Sequence, residues 1–142
     1  EQGRAVPDQP ALSASRENRP AILPLEEDVL ARFQETHSAV TTQIVATVPE
    51  LPYPVAAARS AQLALTQLGY DPDRTLQYWL SPQFATDLAQ EGQPGRAVDA
   101  RRTVDNLLSI LLGDQGNAED FAQIIADYSP DVQDLARARR AR

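Results

Sequence analysis

Hydrophobic residues recur along most of this chain at steps of three, four and seven. Val29, Leu30, Phe33, Val40, Ile44 and Val48 form one stripe of a helix, because residues at such spacings share a face of the α-helical repeat. Pro24 followed by Glu26, Glu27 and Asp28 puts carboxylates at the start of that helix, where the macrodipole favours them. Pro49, Pro52 and Pro54 end it and enforce an extended bend, since proline removes a backbone donor and restricts the residue before it. Val55 to Leu68 then reads as an alanine-rich helix closed by Gly69, and its small side chains predict close contact with other helices.

Three later helix starts share one local chemistry. Asp71-Pro72, Ser81-Pro82 and Ser129-Pro130 each place an N-cap acceptor before a proline whose missing N–H costs nothing at that position. They open a segment with Leu76, Tyr78, Trp79 and Leu80, one with Phe84, Ala85 and Leu88 ending at Gly92, and a last helix running from Pro130 through Leu135 into arginines. Gln93-Pro94-Gly95 reads as a turn. Arg96 to Leu112, with Val98, Val104, Leu107, Leu108, Leu111 and Leu112, reads as the longest hydrophobic helix and the expected centre of the core. Gly113 to Asn117 breaks the chain, and Ala118 to Tyr128 resumes with Phe121, Ile124 and Ile125 at helical spacing. No run alternates with period two, so the expected fold is all-α, a compact bundle of six or seven short-to-medium helices. Tyr70-Asp71-Pro72-Asp73 and Tyr128-Ser129-Pro130-Asp131 echo one another, through either a duplicated helical unit or reuse of the same capping chemistry.

Glu1 to Leu23 departs from this pattern. Pro7, Pro10 and Pro20 stand among Ser, Gln and Asn with no hydrophobic period, the composition of an extended arm. The expected organisation is therefore a Pro/Ser-rich arm over residues 1–23 and a single helical domain over 24–142 with an Arg-rich tail. Terminal arms order when they dock on their own domain or a neighbour, which makes assembly one expected role. A chain of 142 residues is long enough for one real core without metal or disulfide support. Its longest aliphatic cluster, Leu107 to Leu112, falls far short of the roughly 20 apolar residues of a membrane-spanning helix. The first residue is Glu1 rather than methionine, which reads as a processed product or an excised segment.

Composition narrows the chemistry. The chain has no lysine, cysteine or methionine, and all thirteen of its cations are arginines. A GC-rich coding sequence accounts for that bias, as does selection against an amine that accepts acyl groups or ubiquitin inside a eukaryotic host cell. Zero cysteines remove disulfides, thiolate metal sites and a thiol nucleophile together. A net charge of −7 opposes general nucleic-acid binding and leaves only the Arg-rich tail as a phosphate contact.

No residue constellation signals catalysis. His37 is the only imidazole; without a carboxylate or nucleophile beside it, it is expected at the edge of the helical stripe with one nitrogen bonded or solvated. Asp114, Glu119, Asp120, Asp127, Asp131 and Asp134 form an acidic cluster whose spacing only loosely resembles a calcium loop, so a solvated face or a surface for a basic partner is expected. Arg137, Arg139, Arg140 and Arg142 complement the dipole at a helix C-terminus, and their spacing also resembles a site for a protease that prefers basic residues. Tyr78, Trp79 and Phe84 would make a binding hot spot if exposed together and ordinary core if buried.

The reading that follows is a non-enzymatic protein-protein interaction or assembly module. Its partner would be a sister subunit in a larger particle, such as a virion or secretion machine, and its contacts would come from Tyr78, Trp79, Phe84, Arg137, Arg139, Arg140 and Arg142. A secreted bacterial effector domain that binds a host protein is the alternative, and a carboxylate-dependent enzyme the second. No cofactor or metal is expected.

Overall fold

The computed structural model describes residues 21–142 apart from Gln93, and among them there are seven helices and no strand. They are α1 (Glu27–Thr47), α2 (Tyr53–Gln67), α3 (Pro72–Trp79), α4 (Pro82–Ala89), α5 (Pro94–Leu111), α6 (Ala118–Ile125) and α7 (Pro130–Ala141). The all-α bundle expected from periodicity is thus present.

Local chemistry sets the helix ends. Asp71 accepts from the N–H groups of Asp73 and Arg74, Ser81 from Phe84 and Ser129 from Val132, so each X-Pro start carries a side-chain cap. Asn117 adds a fourth through a capping box. It accepts from the Asp120 N–H, and the Asp120 carboxylate accepts from the Asn117 N–H. Two helices end on glycine in the left-handed region, Gly69 at φ +93° and Gly113 at φ +65°. At each, the next residue reaches back to the helix, Tyr70 N–H to Leu65 O and Asp114 N–H to Ser109 O, the Schellman closure that needs a residue free to adopt positive φ.

The core is organised by α2, a correction to the expectation that Arg96 to Leu112 would be its centre. Val55, Ala56, Ala58, Ser60, Ala61, Ala64 and Leu65 are all buried, and α1, α3, α5 and α6 pack around this helix. Alanine lets several neighbours approach one axis, whereas the first half of α5 carries Arg96, Asp99, Arg101 and Arg102 and leaves Val98 exposed. Only the second half of α5 is core, through Val104, Leu107, Leu108, Leu111 and Leu112. Two proline-containing segments also fold differently from expectation. Pro54 lies inside the first turn of α2 rather than in the bend before it, and Pro94 begins α5 rather than sitting in a turn; proline is well tolerated in a first helical turn. Helix α6 stops at Ile125 instead of continuing to Tyr128.

The short helix α3 holds two distant parts of the chain. Residues 1–20 of the expected arm lie outside the described residues, but Ala21 to Leu23 belong to the bundle. Leu23 is buried in the core. The buried Thr75 hydroxyl donates to the Ala21 carbonyl (3.2 Å) and accepts from the Leu23 N–H (3.3 Å), while the Asp71 N–H donates to the same Ala21 carbonyl at 2.6 Å. Two residues along, the Asp73 carboxylate accepts from the Ser129 N–H at 2.6 Å and from its hydroxyl at 3.0 Å. The two echoed X-Pro junctions therefore bond to one another, and α3 packs against α7.

Candidate functional site

Helix α7 docks on α3 and α6, and α5 docks on α2 and α4, which leaves a groove between α5 and α7. The open groove has a volume of about 1130 Å³ and runs past the α3–α4 turn. Trp79, Leu80, Leu108 and Leu135 contribute its apolar floor, and each is buried or half-buried. Arg101 from α5 and Arg139, Arg140 and Arg142 from the end of α7 line it as well, together with Asp105 and Asp114.

The four arginines are held differently. Arg139 makes a two-pronged bond to Asp114, at 2.7 and 3.0 Å, the fork geometry that makes arginine-carboxylate pairs strong. Arg140 lies over the Phe121 ring, 4.8 Å from its centroid, and donates to the Gly116 carbonyl at 2.9 Å. These two guanidiniums are fixed by the fold. Arg101 lies over Phe84 at 5.3 Å, but among the described residues neither it nor Arg142 has a carboxylate within ion-pair distance. The groove thus combines two committed cations with two uncommitted ones.

Burial pushes the Asp114 carboxyl up, but the bonds from Arg139 and Ser109 and the charges of Arg139 and Arg140 outweigh it and hold the group below its ordinary range. A carboxyl lowered by folding adds stability above the ordinary carboxylate range and loses it as the pH falls through the lowered value. Asp114→Asn is therefore expected to cost about 1 kcal/mol at neutral pH, as a partly exposed, well-formed pair does. The difference from the wild type should vanish in acid, where both side chains are neutral. Urea midpoints of the two proteins at neutral and acid pH check this, and a constant difference across the range would show that the ionised carboxylate is not its cause.

The aromatic residues singled out in the sequence are brought together, but not as a surface. Trp79 and Phe84 are each 3% exposed and belong to the core, so the exposure on which a Tyr78-Trp79-Phe84 hot spot depends is absent. Tyr78 packs edge-on against Phe84, with ring centroids 5.4 Å apart, and its hydroxyl donates to the Asp87 carboxylate. Burial, the bond to Asp87 and the charge of Asp87 push the Tyr78 hydroxyl up to about 12, and the bonds from Tyr78 and Gln83 hold Asp87 low. Among the tail residues, Arg137 does not line the groove and pairs with Asp134 at 3.5 Å and with Gln133 at 3.0 Å.

No protein family matches the chain, and no curated protein or solved structure shows significant similarity to it. The site must therefore be read from its own geometry.

The other sequence candidates fall outside the groove or are already engaged. His37 is half-buried, stacks on Phe33 with centroids 5.8 Å apart, and donates from Nε2 to the Ala57 carbonyl at 3.1 Å. This is the bonded edge position expected for it. The acidic cluster is divided in space: Asp114 pairs with Arg139, Asp120 caps α6 and Asp134 pairs with Arg137. Among the described residues no group of three or more His, Asp or Glu is placed to hold a metal ion, and no helix is long and apolar enough to cross a membrane. Arg101, Asp105, Leu108 and Leu135 were not marked by the sequence as a site. Their signal exists only in space, where residues from separate helices meet.

Proposed function

We propose that this chain is a non-enzymatic protein-protein interaction module that receives a segment of a partner, a sister subunit or a foreign protein, in the groove between α5 and α7. The observation that carries this reading is the groove itself, an apolar floor bordered by guanidiniums of which Arg101 and Arg142 are uncommitted. Peptide-binding clefts combine these two elements, apolar burial for affinity and a few oriented charges for register. The engagement of His37 by a backbone carbonyl and the commitment of Asp114 to Arg139 favour binding over acid-base chemistry, because neither side chain is left as a free base beside a reacting group.

An unbiased library of short displayed peptides tests the reading without knowledge of the partner. Ala85 and Ala138 line the groove and are exposed, so Ala85→Trp and Ala138→Trp should fill it while leaving the bundle folded, as circular dichroism can verify. Selection on the wild type should enrich peptides that both variants fail to retain. Recovery of only those peptides that bind wild type and filled variants equally would show that the groove is not the contact surface.

A further inference from the structure

Resting on that reading, we infer that the segment received by the groove is acidic, a short stretch of a partner protein in which aspartate or glutamate alternates with leucine-like side chains. Charge complementarity argues for it. The body of the chain is strongly acidic, at −7 overall, yet among the described residues this one groove is lined by four arginines against two carboxylates, Asp105 and Asp114. Arg139 is neutralised by Asp114, but Arg140 is oriented by Phe121 and Gly116 with no carboxylate paired to it among the described residues, and an ion pair with a pre-oriented guanidinium loses less side-chain entropy than one with a free guanidinium. Arg101 and Arg142 have no carboxylate of their own among the described residues and would take one from the ligand. The half-buried Leu80 and Leu135 in the groove floor ask for aliphatic rather than polar side chains between the carboxylates.

A nucleic-acid strand fits the same cations less well. Single strands are bound by exposed aromatic rings on which bases stack, and Trp79, the one aromatic ring among the described residues that line the groove, is almost wholly buried. Asp105 in the same wall adds repulsion toward a continuous polyphosphate, whereas a peptide places its charges at intervals and can avoid that position.

The probe is a fluorescein-labelled peptide of Glu-Leu-Asp-Leu repeats, compared with a Gln-Leu-Asn-Leu isostere by fluorescence anisotropy on the full chain. Trp79, the single tryptophan, supplies a second readout, because occupation of the groove should shift its emission. The acidic peptide is expected to bind, its isostere about tenfold more weakly or less, and the affinity should fall as ionic strength rises from about 0.1 to about 1 M. The double variant Arg101→Gln, Arg142→Gln should weaken the acidic peptide about tenfold and leave the isostere unchanged. Both arginines are exposed, and thermal unfolding of the variant shows whether it remains folded.

Several results would overturn the inference. One is an acidic peptide that fails to bind or binds no better than its isostere, and another is unchanged affinity in the double variant. A third is tighter binding of oligo-dT that depends on the same two arginines. Oligomerisation of the chain by light scattering, abolished by the double variant, would put a second copy in the groove instead. Library peptides that need the groove but carry no acid would end this inference and leave the proposed function standing; absence of groove-dependent peptides would end both.

Discussion

Gly113→Ala is expected to destabilise the bundle by about 2–5 kcal/mol, a large part of the stability of a domain of this size. Two costs add. At φ +65° an alanine pays about 1–2 kcal/mol for the left-handed conformation. Its Cβ would also stand 2.2 Å from Cδ1 of Ile124, a residue 1% exposed, and forcing extra volume into a packed core costs about 1–3 kcal/mol. The second cost has its own test. Ile124→Val deletes the clashing methyl and leaves Cγ1, which would stand 3.7 Å from the new Cβ at ordinary contact distance. That change alone should cost about 0.5–1.5 kcal/mol, and the double variant should be more stable than the sum of the singles by about 1–2 kcal/mol. Strict additivity in urea unfolding would mean that the strain lies in the backbone alone.

Thr75→Val should cost about 1–3 kcal/mol, although it preserves the shape of a fully buried side chain. The loss falls on the Leu23 N–H, which has the Thr75 hydroxyl as its acceptor and would be left unpaired inside the protein. The Ala21 carbonyl suffers less, because the Asp71 N–H still donates to it. Thr75→Ser is the matched control, since it keeps the hydroxyl and gives up only a methyl group worth about 0.8 kcal/mol. The valine variant should melt below the serine variant; the reverse order would show that packing, rather than the hydroxyl, makes Thr75 important.

The elements that proved legible in the sequence were those set by neighbours along the chain. Asp71, Ser81 and Ser129 cap the helices that their prolines open, Gly69 and Gly113 close two others, and the stripe from Val29 to Val48 faces the core, buried at Val29, Phe33 and Val40 and half-buried at Leu30, Ile44 and Val48. What sequence reasoning misjudged depends on neighbours in space. The leucines of α5 outweigh the alanines of α2 in hydrophobicity, yet α2 is central because small residues admit several helices at once. Trp79 and Phe84 look alike in sequence whether they form a patch or a core. The tail arginines were visible, but their division into Arg137 outside the groove, Arg139 and Arg140 fixed by Asp114, Gly116 and Phe121, and Arg142 left open follows from where α5 and α6 stand. Arg101 gave no sign because its importance comes from a partner wall more than thirty residues away.

The double hold exerted by α3 gives the molecule an order of assembly. As the chain is synthesised, Thr75 can meet Ala21 and Leu23 as soon as α3 has formed, closing the first half on itself. Asp73 must wait for Ser129, 56 residues further on, before the last helix can settle, because Ser129 leaves the ribosome later; the loop to be closed is hardly longer than the one from Ala21 to Thr75, of 54 residues. The groove gains its second wall only at that step. A nascent chain can therefore hold a partly built core before the groove exists, and if the groove binds as proposed, binding would mark that synthesis and folding have reached α7.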